Sequence, residues 1–597
     1  MSDASRAAAA TAGWGLRAYH GTAVLLAIGG AVAVAIALPA VALGGGWAPA
    51  LAPGGQAEAA VGHGAVFARS PEWLQAEAVR LLCAAFFGAS AATFVVGGLG
   101  LLLVWAALGG ERVGELAVRR AVGAPRRVLL AAWLVEGTAV AGGALAVGLP
   151  AGLLLTRWAA ATWPGRVSAG TAAPVMLLAA AATLTIVGGA ALGFIFAPRR
   201  RLSEGDGRPL GLTIPIAQLG LALVVLTAGA LMARSAGRVA PVGSSGGDVF
   251  RAASSTGTEA ERAAEYAALL QALRARGAYD TVSLAAAGAV AGLGTVGIIT
   301  TECGVCPWGG LMVPQHSVAA SQQFVSADSF QALGVRLVVG RGITDADDWR
   351  AGRVAVVSRA LARFHFQDGE PIGRRLLLGD DPRTWYTVVG VVDVPPPAGL
   401  GGALLPAFTV YASVLQHPPG AVELTLRPRG PASVADPVEL IASALGVDSR
   451  RVERTTVTAL LAAQRAPVAW FGRWFALDGW ASLLLALGGT VVQMTLWVRS
   501  LGPELGLRRA LGASRARIVV LVLSQAALVG ALGVGIGLCF GPAVWSALGT
   551  VVRGLPAWDT DVVLRYAAVL VSASTLAAAW PAWRASRRPP AILLARG

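Results

Sequence analysis

The sequence predicts a polytopic α-helical membrane protein of eight transmembrane helices, arranged as a duplicated 4+4 parallel repeat, with one α+β domain outside the membrane. Three observations predict it. Only 14% of the 597 residues are charged and 55% are hydrophobic, against about 25% charged residues in soluble chains. Eight apolar runs are long enough to cross about 30 Å of hydrocarbon as helices. One basic segment also recurs, residue for residue at most positions, at a constant spacing of 389.

The spans fall at 21–45, 81–108, 128–156, 171–197, 211–233, 474–498, 517–547 and 561–582. The first is longer than the apolar core of a secretory signal, and its Gly44-Gly45-Gly46-Trp47 end is no clear cleavage site, so it reads as an uncleaved anchor. All 48 basic residues are Arg, and they are unevenly placed. With the N-terminus inside, the inner segments 1–20, 109–127, 198–210, 499–517 and 583–597 hold 20 Arg in 86 residues. The outer short loops 46–77, 157–170 and 548–560 hold 4 in 59. The positive-inside rule therefore predicts a multi-pass protein of the cytoplasmic membrane with both termini in the cytoplasm. The absence of Lys excludes a Walker A phosphate loop, so any ATP motor must be another polypeptide.

Domain boundaries follow from this plan. A cytoplasmic N-terminus (1–20) leads to a first four-helix unit (21–210) with a reduced outer loop (46–77) and an inner segment (109–127). A fifth helix (211–233) leads to the large outer domain (234–470), and the last three helices (471–585), with their inner segment 499–517, lead to a tail at 586–597. Within the outer domain, Thr258 to Arg276 places Ala, Tyr and Leu on one helical face and Glu and Arg on the other, ending at Gly277, which predicts an amphipathic helix. Val354 to Val357 and Thr387 to Val392 read as strands.

The repeated inner segment is the strongest functional signal. Glu115 to Arg127 reads ELAVRRAVGAPRR and Glu504 to Ala516 reads ELGLRRALGASRA. Its plain explanation is a topology signal, which needs only charge near the spans. Its ordered pattern asks for more. Glu115 stands four residues before Arg119, as Glu504 does before Arg508, a spacing that supports a short helix, and Gly123-Ala124 and Gly512-Ala513 supply its stop. Arg120 and Arg126 in the first copy answer to Arg509 and Arg515 in the second. A short basic helix ending at the membrane surface is a docking element. An even number of spans per half makes the repeat parallel rather than inverted.

At these residues the chain resembles the FtsX-like permease domain of MacB/FtsX-type ABC transporters, where the segment is the coupling helix that seats in the ATPase. The tail, with Pro581, Ala582, Arg584, Ala585 and Pro590-Ala591-Ile592-Leu593, is similar to the ending of such permeases. In the outer domain, Phe324-Val325-Ser326, Leu333-Gly334, Gly340-Arg341, Val354 to Ser358, Leu361-Ala362-Arg363, Pro371-Ile372-Gly373-Arg374 and Val388 to Val392 resemble, in order, a MacB-like periplasmic core. The chain departs from the pattern in having an outer domain in its second half alone, and in placing Ser514 for Pro125 and Ala516 for Arg127. The resemblance implies a non-enzymatic permease subunit in which Glu115, Arg119, Arg120, Gly123, Arg126, Glu504, Arg508, Arg509, Gly512 and Arg515 couple to a cytosolic ATPase dimer. That partner, not this chain, would bind ATP and Mg. A periplasmic adaptor or a second permease are further implied partners, and membrane lipid surrounds the spans. Nucleic acid is no partner, since the Arg excess is explained by topology. The implied role is export or extraction of a substrate, or, as in some relatives, mechanical regulation of a cell-wall hydrolase or sensor kinase.

Other groups point less far. Cys303-Gly304-Val305-Cys306 lies in the outer domain, where a local disulfide is the default; a free pair, or a redox or metal role, are the alternatives, and the following Trp308-Gly309-Gly310 argues for a turn. Glu136 and Gln525 occupy matching points of spans three and seven. An intramembrane acid is a functional candidate, but Glu136 is close enough to a helix end to reach water or pair with Arg126 or Arg127. It is the only such acid this reading finds, which weighs against a secondary transporter. The five His residues form no metal-ligand spacing. Asp345, Asp347 and Asp348 read as solvated loop charge, and the Trp residues at 158, 470, 474, 480 and 558 as part of an interfacial belt.

Overall fold

The structure, a computed structural model, describes residues 78–93, scattered residues between 118 and 162, 208–238 and, with short gaps, 247–587. The spans expected at 21–45 and 171–197 and the loop 46–77 lie outside the described residues. Helix α1 (Ala78–Thr93) is the described part of the second expected span. Helix α2 (Arg208–Arg238) is 31 residues long, about 46 Å at 1.5 Å per residue, so it is long enough to cross a membrane and continue beyond it.

The β-rich domain follows. Strand β1 (Asp248–Ala253) leads to α3 (Glu259–Ala275). Thr258 opens α3 with a capping box, its hydroxyl accepting from the Glu261 N–H while the Glu261 carboxylate accepts from the Thr258 N–H. Gly277 ends it at φ +63°, a left-handed conformation that glycine adopts without penalty. The apolar stripe Ala263, Tyr266, Leu269, Leu270 and Leu273 is buried, so the predicted amphipathic helix forms with its predicted face inward.

Next come β2 (Tyr279–Ala286), β3 (Thr295–Trp308), β4 (Leu311–Val325), α4 (Ser329–Ala332), β5 (Arg336–Gly340), β6 (Val354–Ser358), α5 (Arg359–Phe366), β7 (Arg375–Leu378) and β8 (Trp385–Asp393). The domain closes with β9 (Gly399–Leu400), β10 (Thr409–Ser413), β11 (Ala421–Pro428), α6 (Val438–Ala444) and β12 (Glu453–Thr456). Strands β10, β6, β8, β7, β3 and β4 pair in that order, and β10 also pairs in parallel with β4, so the six close on themselves. From β4 the sheet extends through β2 and β11 to β1 and β12. Its core holds Phe250, Tyr266, Ile299, Leu361, Tyr386 and Leu424 among others. One expectation fails here. Asp347 is buried rather than solvated, gripped by Arg341 through two contacts of 2.8 and 2.9 Å and by the N–H and hydroxyl of Thr344. Burial opposes its charge, but these donors outweigh it and hold the carboxyl below the usual carboxylate range.

The remaining elements are α7 (Val457–Ser500), α8 (Gly502–Ala510), α9 (Arg515–Gly549), β13 (Val552–Arg553), α10 (Thr560–Ala577) and α11 (Ala579–Arg587). Helix α7 has 44 residues, about 66 Å, roughly twice what a bilayer core needs. Among the described residues, four helical stretches are long and apolar enough to cross a membrane. Small residues set their packing. A Cβ at Gly229 in α2 would stand 2.7 Å from the Ala476 backbone nitrogen of α7, and one at Gly537 in α9 would stand 2.9 Å from the Gly220 carbonyl of α2. Such close approach is how apolar helices gain dispersion contacts in lipid, where water supplies no drive.

Candidate coupling site

The second inner segment is described in full backbone detail. Helix α8 carries Glu504 in its first turn and Arg508 and Arg509 in its last, each sign placed against the opposite end of the helix dipole. Arg508 donates to Glu504 at 2.6 Å, the i,i+4 pair the spacing predicts. Leu505 points inward among Val498, Leu501, Ile518 and Ala582. The helix stops at Gly512, with φ +93°. There the Gly512 N–H donates to the Arg509 carbonyl at 3.0 Å and the Ala513 N–H to the Arg508 carbonyl at 2.9 Å. Ser514 then caps α9, its hydroxyl accepting from the Arg517 N–H. Arg508 and Arg515 are exposed and Arg509 is half-buried.

The first copy repeats this backbone wherever it is described. Gly123 also has φ +93°. The Val122 N–H donates to the Val118 carbonyl at 3.0 Å, as the Leu511 N–H donates to the Leu507 carbonyl at 3.0 Å. The Val128 N–H reaches the Pro125 carbonyl at 3.0 Å, and its counterpart Arg517 reaches Ser514 at 3.1 Å. Arg119 is half-buried, while Glu115, Arg120 and Arg126 lie outside the described residues.

Sequence reasoning missed the apolar part of this surface. Val118 and its counterpart Leu507 are 64% and 56% exposed, and Val122 and Leu511 are 83% and 80% exposed. Each copy therefore presents two apolar side chains one turn apart, beside its basic residues. The signal was present as apolar residues at 118, 122, 507 and 511, but which of them turn outward depends on packing that a short segment does not reveal. Four matched, exposed apolar groups are the kind of surface that protein partners cover.

Two lines connect this inner surface to the β-rich domain. Helix α7 runs without interruption from near α8 to β12, and β12 pairs antiparallel with β1, which follows α2 (Asp248 opposite Thr456). The strands that continue the two long helices are thus joined. A third link is the pair β9 and β13, Gly399 against Arg553 and Leu400 against Val552. At the same level Arg234 of α2 donates to Asp559 at 2.6 Å and to Asp561 at 2.8 Å, fastening α2 to the start of α10.

Helices α1 and α7 meet along a seam of matched positions. Phe86 and Phe475 stack edge to face with ring centroids 5.5 Å apart, and the Thr93 and Ser482 hydroxyls are 2.7 Å apart. Both contacts join residues separated by 389 in sequence. Between them on α7 lies Asp478, wholly buried, with neither carboxyl oxygen engaged at full hydrogen-bond geometry. The Ser90 and Thr93 hydroxyls stand beside it. This acid corrects the expectation that Glu136 is the only one within the spans; Asp478 is inconspicuous in sequence because Trp and Arg residues surround it at the outer end of its run. Glu136 lies outside the described residues, and Gln525 is half-buried on α9. Trp470 and Trp474 are core residues packed with Phe471 and Phe475, not members of an exposed belt, because α7 is covered there by α1 and α2. Trp158, Trp480 and Trp558 are exposed. Cys303 and Cys306 fall on β3, whose ladder to β4 shifts register between Glu302 and Cys306; their side chains lie outside the described residues. The strands β3 and β4 pair up to Trp308 and Leu311, on either side of the predicted turn.

Comparison with known proteins agrees with this architecture. Residues 211–443 match the MacB-like periplasmic core domain, and residues 479–590 match the FtsX-like permease C-terminal family. No curated protein matches the chain. Among solved structures, the periplasmic region of MacB from Actinobacillus actinomycetemcomitans aligns at 15% identity, covering 37% of this chain and 93% of that one, with a TM-score of 0.25. The extracellular domain of the noncanonic ABC-type transporter YknZ from Gram-positive bacteria aligns at 12% identity, covering 35% and 100%, with a TM-score of 0.24. With both family segments present in chain order and together spanning more than half of its length, the chain belongs to the MacB/FtsX-type ABC transporter permeases.

Proposed function

We propose that this chain is a transmembrane subunit that couples ATP hydrolysis by a separate cytosolic ATPase to movement of its β-rich domain, for export or extraction of a substrate on the outer side. The two inner segments are the contact points for the ATPase dimer, which binds ATP and Mg. The observation that carries this reading is their match: the same left-handed glycine, the same turn hydrogen bonds and the same two exposed apolar groups recur 389 residues apart. A topology signal asks for none of that. The matched contacts Phe86 to Phe475 and Thr93 to Ser482 support the second part of the reading, a parallel 4+4 repeat in which the two halves of one chain form the transmembrane pair. Two in-register contacts at one constant offset are what parallel helices related by a two-fold axis make.

In this arrangement, closure of the ATPase dimer moves both inner segments, and α7 with α2 carries the movement to β12 and β1. The protein sits in the cytoplasmic membrane with both termini inside. The test is co-purification of the detergent-solubilised chain with the ATPase encoded nearest to it, comparing wild type with Arg119→Glu/Arg508→Glu. Wild type is expected to retain the ATPase and change its turnover, and the double variant to lose both. If wild type binds no such ATPase, the motor-driven reading fails.

A further inference from the structure

Phe475, Asp478 and Ser482 follow one another at spacings of three and four on α7, and Phe86, Ala89 and Thr93 do the same on α1. These are the a, d, a positions of a parallel helix pair. The two a layers join like with like, aromatic on aromatic and hydroxyl on hydroxyl. The d layer does not. Its members, at the same offset, are Ala89 and Asp478, a small apolar residue opposite a buried carboxyl.

We propose that Asp478 decides which half can occupy the seam: it accepts the first half of its own chain and rejects the second half of another copy. The inference deepens the reading of the two halves as the transmembrane pair and rests on it. Pairing two second halves in this register would set Asp478 against Asp478, two carboxyls facing each other with no cation among their neighbours. Within a membrane one unpaired acid is already costly, and a like pair adds repulsion that no solvent screens. Against the first half, the same carboxyl has Ala89 at the matching position of α1 and the hydroxyls of Ser90 and Thr93 beside it. Two first halves have no such conflict, but pairing them would leave both copies of Asp478 without the surface that accommodates it. A single polar residue at one core position is a known way to fix register and partner in helix pairs, at a cost in stability; the unengaged carboxyl oxygens are that cost. One chain thereby completes its own transmembrane pair, and an ATPase dimer takes one permease chain.

The test uses the full chain with its four native cysteines replaced by alanine and with Phe86→Cys and Phe475→Cys. Oxidation followed by non-reducing electrophoresis reads whether the link joins one chain or two, and digestion with mass spectrometry reads which positions it joins. Three further changes are compared on this background: Ala89→Asp, which places two acids in the layer; Asp478→Ala, which leaves none; and the exchange Ala89→Asp/Asp478→Ala, which moves one acid to the other half. The expected result is an intra-chain link in the parent and in the exchange, the same link accompanied by a new 475–475 link between chains in Asp478→Ala, whose absence would overturn the proposal, and a loss of roughly tenfold in Ala89→Asp alone. Recovery in the exchange separates a pairing effect from misfolding caused by an acid at 89. The proposal is overturned if Ala89→Asp links as well as the parent, if the exchange fails as badly as the single change, or if the parent links between two chains. Because the readout needs no ATPase, it stands apart from the co-purification result.

Discussion

The two inner segments have the same backbone and different side chains, and the difference separates shape from charge. Residues 118–128 and 507–517 share their turn, their hydrogen bonds and the position of two exposed apolar groups. They differ where Pro125 and Arg127 are replaced by Ser514 and Ala516. On the proposed coupling role, what is common to both is what a two-fold partner would grip, and what differs would bias one side. The largest expected effect therefore comes from breaking the shared feature. A Cβ at Gly123 or Gly512 meets nothing within 4 Å, so Gly→Ala acts through the left-handed backbone alone, at about 1–2 kcal/mol. Both substitutions should fray the turn, raising amide hydrogen exchange there by about 5- to 30-fold, and Asn, which tolerates this conformation, should raise it less. Equal fraying with loss of ATPase stimulation in one copy alone would show that a single segment does the coupling.

The second prediction probes the difference itself. Ser514 caps α9 through its hydroxyl, whereas Pro125 has no side-chain acceptor to offer. Ser514→Ala should cost about 1 kcal/mol, visible as a lower melting temperature and faster exchange at the Arg517 amide, while Pro125→Ala should produce no such loss of a cap. The converse change, Pro125→Ser, should stabilise the helical turn at Val128 by supplying a side-chain acceptor at that position. If Ser514→Ala and Pro125→Ala shift stability alike, the hydroxyl is not what holds the start of α9.

Local chemistry made much of the fold legible. Thr258 with Glu261 and Gly277 delimit α3, and the β-branched run Thr387 to Val392 lies within β8, because caps, stops and strand preference act within a few residues. The repeat made the inner segments legible for the same reason, since both copies carry their own stop. Contacts between distant residues were not readable. Nothing near Thr409 or Ser321 announces that β10 and β4 pair in parallel, and nothing near Leu505 and Leu507 says that one enters the core while the other faces out. Asp478 combines both difficulties. Its acid is visible in the sequence, but its meaning depends on Ala89 opposite, and that relation appears once α1 and α7 are seen side by side.

The smallest expected effect concerns the ion pair that first suggested a helix. Arg508 and Glu504 are both about half exposed, so their attraction is largely screened, and an i,i+4 pair of this kind contributes about 0.3–0.5 kcal/mol. Glu504→Gln should therefore raise hydrogen exchange at the Gly512 and Ala513 amides by about twofold at low salt, and the difference should vanish near 1 M salt, where the screening length falls to about 3 Å. The exposed apolar pair Leu507 and Leu511 is untouched by this change, so retention of the ATPase should be nearly unaffected. A large loss of binding in Glu504→Gln would mean that Glu504 meets the ATPase directly, and that charge at that position, rather than the apolar surface shared by both copies, carries the contact.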